Sequence, residues 1–591
     1  VTVQATATIT NANGKTATIT SDATYTPTVV PAVPTANPAT SKDIQGATQT
    51  GTPTFAGTTV QVNGEDKAIT IKDNSYKLLD NDGNEVTSTP AYAADGTTEI
   101  GTYSIDPATG QVTFTPSDKS YTGAVTPAKV QAESSNGIKV DTTYTPEIVP
   151  VTPTATPTET KDIQGATQTG KPEFKGGTVT VDGVEKTVAI NEAVPATFDD
   201  GSTTKTVDGV GTYTVAADGT VTFVPEKSFV GTAPAVTVVR EDKNGTKASA
   251  TYTPTVTPVT PTATPVETTG KQGQTQTGKP EFTEGDSRVP MNDDVPATFD
   301  DGSTSKTVDG VGTYTVAADG TVTFVPEPSF TGTAPAVTVV REDKNGTKAS
   351  ATYTPTVNPV TITPTDKVSE DIQNVPQTQT PTFELSNDKT AKITSKKLVD
   401  PATGQPTDET TVTVPGEGTY KIDPTTGAVT FTPEPDFVGT AKGVKVQATA
   451  TITNAKGETS TITAEASYTP TVKSAAPTAK PATSKDIQGA TQTGTPTFAG
   501  TTVQVNGEEK EITIKDNSYT LLDKDGNEVT TTTAYAEDGT TPIGTFTIDP
   551  ATGTVTFTPT DKSYTGKVTP VKVQAESSNG IKVDTTYTPE I

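Results

Sequence analysis

The side chains that most often do chemistry in proteins are missing from this sequence. It contains no Cys, no His and no Trp among its 591 residues. Cysteine and histidine supply many of the nucleophiles, general bases and soft metal ligands that enzymes use. Most hydrolases, redox enzymes and zinc sites are therefore excluded, and only catalysis by carboxylates remains formally possible.

Adjacent acidic residues are the first candidates for such catalysis. They occur twice, as Asp199 with Asp200 and as Asp300 with Asp301. Each pair precedes Gly and Ser, which is typical of a turn. The two pairs are also copies of each other in neighbouring units, which favours a duplicated scaffold over a unique catalytic centre. We predict that the protein is not an enzyme and assign no catalytic residue.

Alternating side-chain oxygens are the second candidate, because they resemble the start of a calcium-binding loop. Residues 80–85 read Asp-Asn-Asp-Gly-Asn-Glu, and residues 523–528 read Asp-Lys-Asp-Gly-Asn-Glu. An EF-hand loop would add a bidentate Glu at its twelfth position and flanking helices. Since neither is present, we interpret both segments as hairpin turns and predict no metal and no cofactor.

Lysine and asparagine side chains offer a third chemistry, the intramolecular isopeptide bond. Lys205, Lys306, Asn244 and Asn345 are available for it. Such a bond forms when a buried carboxylic acid assists the condensation. The lysines lie in polar turns or on polar faces, where their charge is solvated, so we favour an ordinary surface role.

The charge balance argues against two classes of partner. The net charge is -27, and the sequence pI is about 4.4. The only arginines are Arg240, Arg288 and Arg341. Binding to nucleic acid or to an anionic membrane needs clustered positive charge. We therefore predict neither partner, and we expect the negative charge to keep the chain soluble and self-repelling.

Composition leaves two structural alternatives open. Leu, Ile, Val and Phe are scarce and the net charge is high, which is typical of disordered chains. Thr and Val are abundant, however, and β-branched residues favour strands. We expect thin β domains, with partial disorder of some repeats as the alternative.

One tripeptide, Tyr-Thr-Pro, recurs along the chain and defines its period. Its tyrosines are Tyr25, Tyr144, Tyr252, Tyr353, Tyr468 and Tyr587. Their spacings of 119, 108, 101, 115 and 119 residues indicate one partial and five whole repeats. The predicted domains are residues 1–29, the C-terminal part of a truncated repeat, and five repeats at 30–148, 149–256, 257–357, 358–472 and 473–591.

The repeats also have a higher order. Residues 1–148 match residues 444–591 at a shift of 443 positions. A phenylalanine recurs near the start of each whole repeat, as Phe55, Phe174, Phe282, Phe383 and Phe498. Length varies mainly after this Phe, for example between residues 175–193 and the shorter 283–294. We expect loops or an extra hairpin there.

Alternation within a repeat predicts hairpins. Residues 211–215 and 220–223 alternate on either side of an Ala-Asp-Gly turn, and an Asn-Gly turn precedes the last strand. One face should be buried, and it carries Tyr213, Val215, Val221, Phe223, Val236 and Val238. One buried face per sheet predicts an Ig-like sandwich. The repeated Tyr could serve a ligand, but core packing with a local hydroxyl bond is the preferred interpretation.

Segments rich in Pro and Thr join the repeats, as in residues 254–265. Proline at every third or fourth position favours extended polyproline-type backbone. We expect these linkers to hold neighbouring domains apart, end to end, in an elongated rod.

The fourth repeat contains Gly-Glu-Gly-Thr-Tyr at residues 416–420, Val-Thr-Phe-Thr-Pro at 429–433 and Phe-Val-Gly-Thr at 437–440. With these motifs, the units resemble the CshA-type fibril repeats of streptococcal cell-wall-anchored surface adhesins. The resemblance covers the whole chain, and it is carried by residues 414–424, 429–433, 437–440 and 238–256. It implies a long fibril that projects a separate binding region from the cell.

The function predicted from these features is structural. We expect a non-catalytic, monomeric stalk, secreted and located at the bacterial cell surface, with cell-wall anchoring in the parent protein. Host extracellular proteins or other bacteria would be bound through regions outside this chain. The alternative is that the repeats themselves form a multivalent adhesion module for host glycoprotein or other bacteria. The chain starts inside an apolar alternation at Val1, so we expect an internal piece of a longer protein.

Overall fold

The structure is a computed structural model that describes residues 8–18 and 29–591. Every regular element of this part of the chain is a β-strand. The prediction of an all-β tandem array is therefore confirmed. Tyr25 and most of the predicted truncated repeat lie outside the described residues.

The strands are numbered along the chain. The strands of the partial repeat, β1 and β2, are Thr8–Thr10 and Thr16–Thr18. Strands β3 to β15 of the first whole repeat are Thr35–Asn37, Ala39–Ile44, Gln49–Gly51, Thr54–Ala56, Thr58–Val62, Glu65–Ile69, Lys77–Leu79, Glu85–Val86, Ser88–Tyr92, Glu99–Ile105, Val112–Pro116, Ala128–Glu133 and Lys139–Val149. Strands β16 to β28 of the second repeat are Thr154–Thr156, Thr158–Ile163, Gln168–Gly170, Glu173–Lys175, Gly177–Val181, Val184–Val188, Thr197–Phe198, Thr204–Val207, Gly211–Val215, Val221–Pro225, Gly231–Thr232, Val236–Glu241 and Lys247–Thr257.

The later repeats follow the same plan. Strands β29 to β39 of the third repeat are Thr262–Thr264, Val266–Lys271, Gln276–Gly278, Glu281–Thr283, Thr298–Phe299, Ser305–Val308, Gly312–Val316, Val322–Pro326, Gly332–Thr333, Val337–Glu342 and Lys348–Asn358. Strands β40 to β51 of the fourth are Ile362–Thr365, Lys367–Ile372, Gln377–Gln379, Thr382–Leu385, Ala391–Asp400, Gln405–Pro406, Thr411–Val414, Gly418–Ile422, Val429–Pro433, Gly439–Thr440, Val444–Thr453 and Thr459–Lys473. Strands β52 to β64 of the fifth are Thr478–Lys480, Ala482–Lys485, Gln492–Gly494, Thr497–Ala499, Thr501–Val505, Glu508–Ile512, Thr520–Leu522, Glu528–Val529, Thr531–Tyr535, Pro542–Ile548, Val555–Pro559, Val571–Glu576 and Lys582–Glu590.

Each whole repeat is a sandwich of two sheets. In the second repeat, one sheet has the order β17-β28-β27-β22, with β26 also paired to β28, and the other has the order β18-β25-β24-β23. All pairs are antiparallel except β17 with β28, where Thr158 lies opposite Tyr252 in a parallel register. This parallel pair brings the start of each repeat beside its end.

The core lies between the two sheets, on the face that alternation predicts. Tyr213 lies opposite Phe223 in the β24-β25 hairpin, with ring centroids 4.6 Å apart. Both side chains are fully buried, as are Val221 in the same hairpin and Val238 in β27 of the other sheet. Burying a Val or Phe side chain contributes roughly 1.5–3 kcal/mol, so this alternating face is the main source of stability in each small domain.

The tyrosine of each Tyr-Thr-Pro motif in the five whole repeats is buried, as predicted. The hydroxyl oxygen of Tyr252 in β28 lies 2.8 Å from Thr160 Oγ1 in β17. The Thr160 hydroxyl donates to Gln168 Oε1 in β18 at 2.6 Å, and Gln168 Nε2 donates to the carbonyl of Thr255 at 2.9 Å. Because β17 and β18 belong to different sheets, this network joins the two layers.

The segments rich in Pro and Thr are mostly incorporated into strands. Of residues 254–265, only residues 258–261 and Pro265 lie outside β28, β29 and β30. The linkers are therefore shorter than the composition indicates, because an extended Pro/Thr backbone also suits the edge of a sheet. The predicted insertion in the second repeat is the β20-β21 hairpin, whereas the third repeat has only a bridge between Asp286 and Val289.

The contacts of the chain form two compact units. The first contains Val1–Pro261, Glu284–Asn292 and Glu342–Lys348. The second contains residues 262–283, 293–341 and 349–591.

Candidate functional site at the repeat junctions

The predicted calcium-like segments are hairpin turns. Asp80 Oδ1 accepts the backbone N–H groups of Asp82 at 3.0 Å and of Asn84 at 2.8 Å, and its Oδ2 accepts Asn84 Nδ2 at 3.1 Å. The Asn84 hydrogen bonds lower the pKa of the Asp80 carboxyl. Asp523 has the same bonds in the fifth repeat. These carboxylates are thus occupied by their own turns.

The paired acids also lie in turns. Asp200 Oδ1 accepts the Ser202 backbone N–H at 2.9 Å and its hydroxyl at 2.6 Å. Lys205 Nζ lies 3.2 Å from Asp199 Oδ1, and this hydrogen bond raises the pKa of the Lys205 ammonium. These groups pair with one another at an exposed turn and leave no apposed acid and base.

The candidate isopeptide partners are not brought together. Lys205 and Lys306 pair with aspartates of their own turns. Asn244 and Asn345 instead lie at hairpin tips and contact the preceding repeat.

Among the described residues, no group of three or more acidic side chains could hold a metal ion. The described residues also include no helix of the length and apolarity that a membrane crossing requires.

The most elaborate recurring polar arrangement lies where one repeat meets the next. In the first junction, Gln45 Oε1 accepts the backbone N–H of Val151 at 2.8 Å. Gln45 follows β4 and Val151 follows β15, and the parallel pairing of these strands places the two residues side by side. Both side chains are almost fully buried. We call this pairing of a glutamine with the linker amide the glutamine clasp.

The clasp is closed from outside by the next repeat. Gln45 Nε2 donates to Thr246 Oγ1 at 2.6 Å, and Asn244 Nδ2 donates to the Gln45 carbonyl at 2.8 Å. Asn244 and Thr246 belong to the turn between β27 and β28. Gly46 has φ +76, and a Cβ there would come within 2.5 Å of Asn244 Oδ1. The turn of one repeat and the hairpin of the next are therefore in direct contact.

The second junction repeats this arrangement within the first unit. Gln164 Oε1 accepts the Val259 N–H at 3.2 Å, and Asn345 Nδ2 donates to the Gln164 carbonyl at 2.8 Å. Gln164 Nε2 here donates to the Lys227 carbonyl at 2.8 Å, with Thr347 Oγ1 at 3.4 Å. The same chain positions thus meet at two successive junctions.

Ion pairs add to both of these junctions. Lys186 in the β20-β21 hairpin pairs with Asp43, and Arg288 Nη1 lies 2.9 Å from Asp162 Oδ1. Solvent-accessible pairs of this kind contribute about 0–1 kcal/mol and are screened by salt. They orient the junction more than they stabilise it.

The fourth junction, in the second unit, adds apolar contact to its clasp. Gln373 Oε1 accepts the Ala475 N–H at 3.0 Å, and Lys510 Nζ lies 2.6 Å from Asp371 Oδ1. Side chains of the fourth repeat, the linker and the fifth repeat form one buried cluster, which contains Ile372, Ala475, Val505 and Ile512.

The third junction uses a longer hairpin. Gln272 Oε1 accepts the Val360 N–H at 3.1 Å. Strands β50 and β51 have 10 and 15 residues, against 6 and 11 for β27 and β28. The longer hairpin reaches the preceding repeat, where Asn454 Nδ2 donates to the Pro326 carbonyl at 2.9 Å and Ser460 Oγ donates to that of Pro328 at 2.6 Å.

Sequence reasoning did not assign this role to the glutamines. Gln45, Gln164, Gln272 and Gln373 are buried at all four junctions. Their recurrence once per repeat was the available signal, but the partner amide lies about one whole repeat further along the chain. What the arrangement can do is fix the direction in which each linker leaves its repeat.

A family model matches five segments that together span almost the whole chain. The model of the surface adhesin CshA repetitive domain matches residues 31–148, 150–256, 258–357, 359–472 and 474–591. A comparison with curated proteins found no match. Among solved structures, the protocadherin gammaB4 extracellular domain is 11% identical, with 94% of this chain and 83% of that chain covered and a TM-score of 0.25.

Two further solved structures are similar. Three extracellular domains of mouse cadherin-23 are 14% identical, with 56% of this chain and 100% of that chain covered and a TM-score of 0.24. Eight Ig domains of Down syndrome cell adhesion molecule are 11% identical, with 95% of this chain and 61% of that chain covered and a TM-score of 0.17. Because the family model matches almost the whole chain, the protein belongs to the family of the surface adhesin CshA repetitive domain and is the repeat region of a cell-surface protein of that kind.

Proposed function

We propose that this chain is the non-catalytic structural stalk of a bacterial cell-surface fibrillar adhesin, and that it projects a separate binding region from the cell. The observation that carries the proposal is the glutamine clasp, which recurs at all four junctions. A linker whose buried backbone amide is hydrogen-bonded to a glutamine of the preceding repeat cannot rotate freely relative to that repeat. The number of repeats would then determine the reach of the adhesin.

The rest of the proposal concerns the parent protein. It is secreted, of the streptococcal type and anchored in the cell wall, and it stays monomeric along the stalk because the net charge of -27 opposes lateral association. Host extracellular proteins or other bacteria are bound by regions outside this chain. Neither nucleic acid nor membrane is a partner.

Small-angle X-ray scattering of the full chain tests the stalk. A compact globule of this length has a radius of gyration of roughly 25 Å, whereas five sandwiches end to end give about 60 Å and a rod-like cross-section. We expect the larger value. The compact value would overturn the stalk, and the repeats themselves would then be the better candidates for multivalent adhesion.

A set of variants tests the clasp itself. Replacing Gln45, Gln164, Gln272 and Gln373 together by Ala should lower the radius of gyration, because each linker amide loses its acceptor. Gln274→Ala is the matched control, since this glutamine is exposed two residues from Gln272. An unchanged scattering curve in the fourfold variant would show that the clasps do not direct the linkers.

A further inference from the structure

The hairpin tips that contact the preceding repeat at the first two junctions contain the dipeptide Asn-Gly. Asn244-Gly245 belongs to the second repeat and Asn345-Gly346 to the third. Each Asn side chain donates through Nδ2 to a carbonyl of the preceding repeat, Gln45 or Gln164, at 2.8 Å. These amides are therefore part of the contact between repeats.

Asn-Gly is also the dipeptide in which an amide side chain is most easily lost, because Gly places no Cβ near the reacting atoms. The backbone nitrogen of the Gly attacks the Asn Cγ and gives up its proton. The Cγ–Nδ2 bond breaks, ammonia leaves and a succinimide ring forms. Water then opens either imide bond, so the product is Asp or its β-linked isomer.

Both reacting groups are engaged, the Gly nitrogen within its own turn and the Asn amide across the junction. The backbone N–H of Gly245 donates to the Asp242 carbonyl at 2.9 Å, so the nucleophile is engaged. The departing amide nitrogen of Asn244 is held by the Gln45 carbonyl. The turn itself is fixed by Asp242, a fully buried side chain whose Oδ1 accepts the Asn244 N–H at 2.8 Å. The corresponding bonds are present at Asn345.

The chain contains its own reference sites. Residues 61–65 and 504–508 both read Gln-Val-Asn-Gly-Glu and form the tips of equivalent hairpins. Asn63 is exposed, whereas Asn506 Nδ2 donates to the Glu370 carbonyl of the fourth repeat at 3.2 Å. The same local sequence thus occurs once at an exposed tip and once at a tip held by the fourth repeat.

We propose that Asn244 and Asn345 are deamidation sites gated by their junctions. Conversion requires the junction to open, and it prevents the junction from closing again. The new carboxylate has no proton to donate, so its oxygens face the Gln45 or Gln164 carbonyl as a second acceptor with negative charge. Each junction would then record irreversibly that it has been opened. The effect of an opened junction on the stiffness of the array rests on the proposed stalk. The deamidation chemistry itself does not rest on it.

Peptide mapping by mass spectrometry on the aged full chain tests the gating. Asn63 should convert fastest, and Asn244 and Asn345 should be at least about tenfold slower, because hydrogen bonds must open first. Gly46→Ala should accelerate Asn244 alone, and Gly165→Ala should accelerate Asn345 alone, since the three heavy atoms nearest to the added Cβ all belong to the opposing Asn. Equal rates at all three sites, or no acceleration in either variant, would overturn the proposal.

Gln45→Ala provides a second route to the open junction without backbone strain. It should also accelerate Asn244 and leave Asn345 unchanged. Acceleration of both sites together would mean general unfolding and would count against gating at single junctions.

The consequence is tested separately with Asn244→Asp. Hydrogen exchange of the Val151 N–H, which is buried and held by Gln45, should be faster in this variant, while exchange of the Val259 N–H stays unchanged. If the Val151 N–H exchanges as slowly in Asn244→Asp as in the unmodified chain, the irreversible opening of the junction is wrong. Scattering of the unmodified chain decides the stalk independently, so the two proposals fail by different measurements.

Discussion

Tyr252 shows how one side chain connects a whole repeat. Since the Thr160 hydroxyl proton is used by Gln168, the Tyr252 hydroxyl is the donor to Thr160. The network joins β28, β17 and β18, and its copies recur at Tyr144, Tyr353, Tyr468 and Tyr587. Burial raises the pKa of Tyr252, so the hydroxyl stays protonated and able to donate through the neutral range.

Tyr252→Phe should destabilise the second repeat by about 1 kcal/mol, because Thr160 loses its donor in a half-buried site. Hydrogen exchange of peptides from that repeat measures the change. Tyr103→Phe is the control with a smaller expected effect, because the fifth repeat carries Phe546 at the equivalent position. Equal effects of the two substitutions would contradict the importance of the network.

At the scale of elements, hairpin turns carry the acidic residues that resembled active or metal-binding groups. The turn between β11 and β12 is the clearest case. Asp95 Oδ1 accepts the backbone N–H groups of Thr97 and Thr98, both at 2.8 Å, and its Oδ2 accepts the Thr98 hydroxyl at 2.6 Å. The Thr98 hydrogen bonds lower the pKa of Asp95 to about 2.

This turn should weaken in acid. A carboxyl with a lowered folded pKa contributes stability that is complete above its unfolded value and is lost as the pH falls through the folded value. For Asp95 we therefore expect the loss between pH about 4 and about 2. An NMR titration of the Thr98 amide measures it, and a midpoint near 3.9 would contradict the prediction.

Asp95→Asn supplies the control for this titration. It should abolish the acid transition of the Thr98 amide. The equivalent turn in the fifth repeat should keep its acid transition, because Thr541 also lowers the pKa of Asp538 to about 2. Loss of both transitions would indicate that the signal reports the whole molecule and not the turn.

At the scale of the whole molecule, the repeats are small domains whose connections use hydrogen bonds, apolar contacts and a few ion pairs. In the part of the chain that the structure describes, no group of three or more acidic side chains could hold a metal ion. We expect the stability of the array to depend on these contacts, in line with the sequence-based prediction of no bound metal.

Calcium should leave the thermal unfolding of the full chain unchanged. A ligand that binds only the folded state raises its stability with the logarithm of ligand concentration, so the midpoint in excess calcium and in chelator should agree. Sodium chloride at matched ionic strength is the control, because salt screens the surface ion pairs. A midpoint that rises steadily with calcium would contradict the prediction.

The period, the strands and the buried face were predictable because they depend on local order in the chain. Alternation at Tyr213, Val215, Val221 and Phe223 is a property of one hairpin, and the same residues are buried in the structure. The turn interpretation of residues 80–85 followed equally from adjacent residues.

The clasps depended on the tertiary structure. Gln45 and Val151 are more than one hundred residues apart, and only the parallel pairing of β4 with β15 brings them together. Asn244 reaches Gln45 across a junction between two repeats. Sequence by itself determined which residues each small sandwich buries, because that follows from a two-residue period. Which polar groups join the sandwiches was decided by folding, because that depends on where distant strand ends meet.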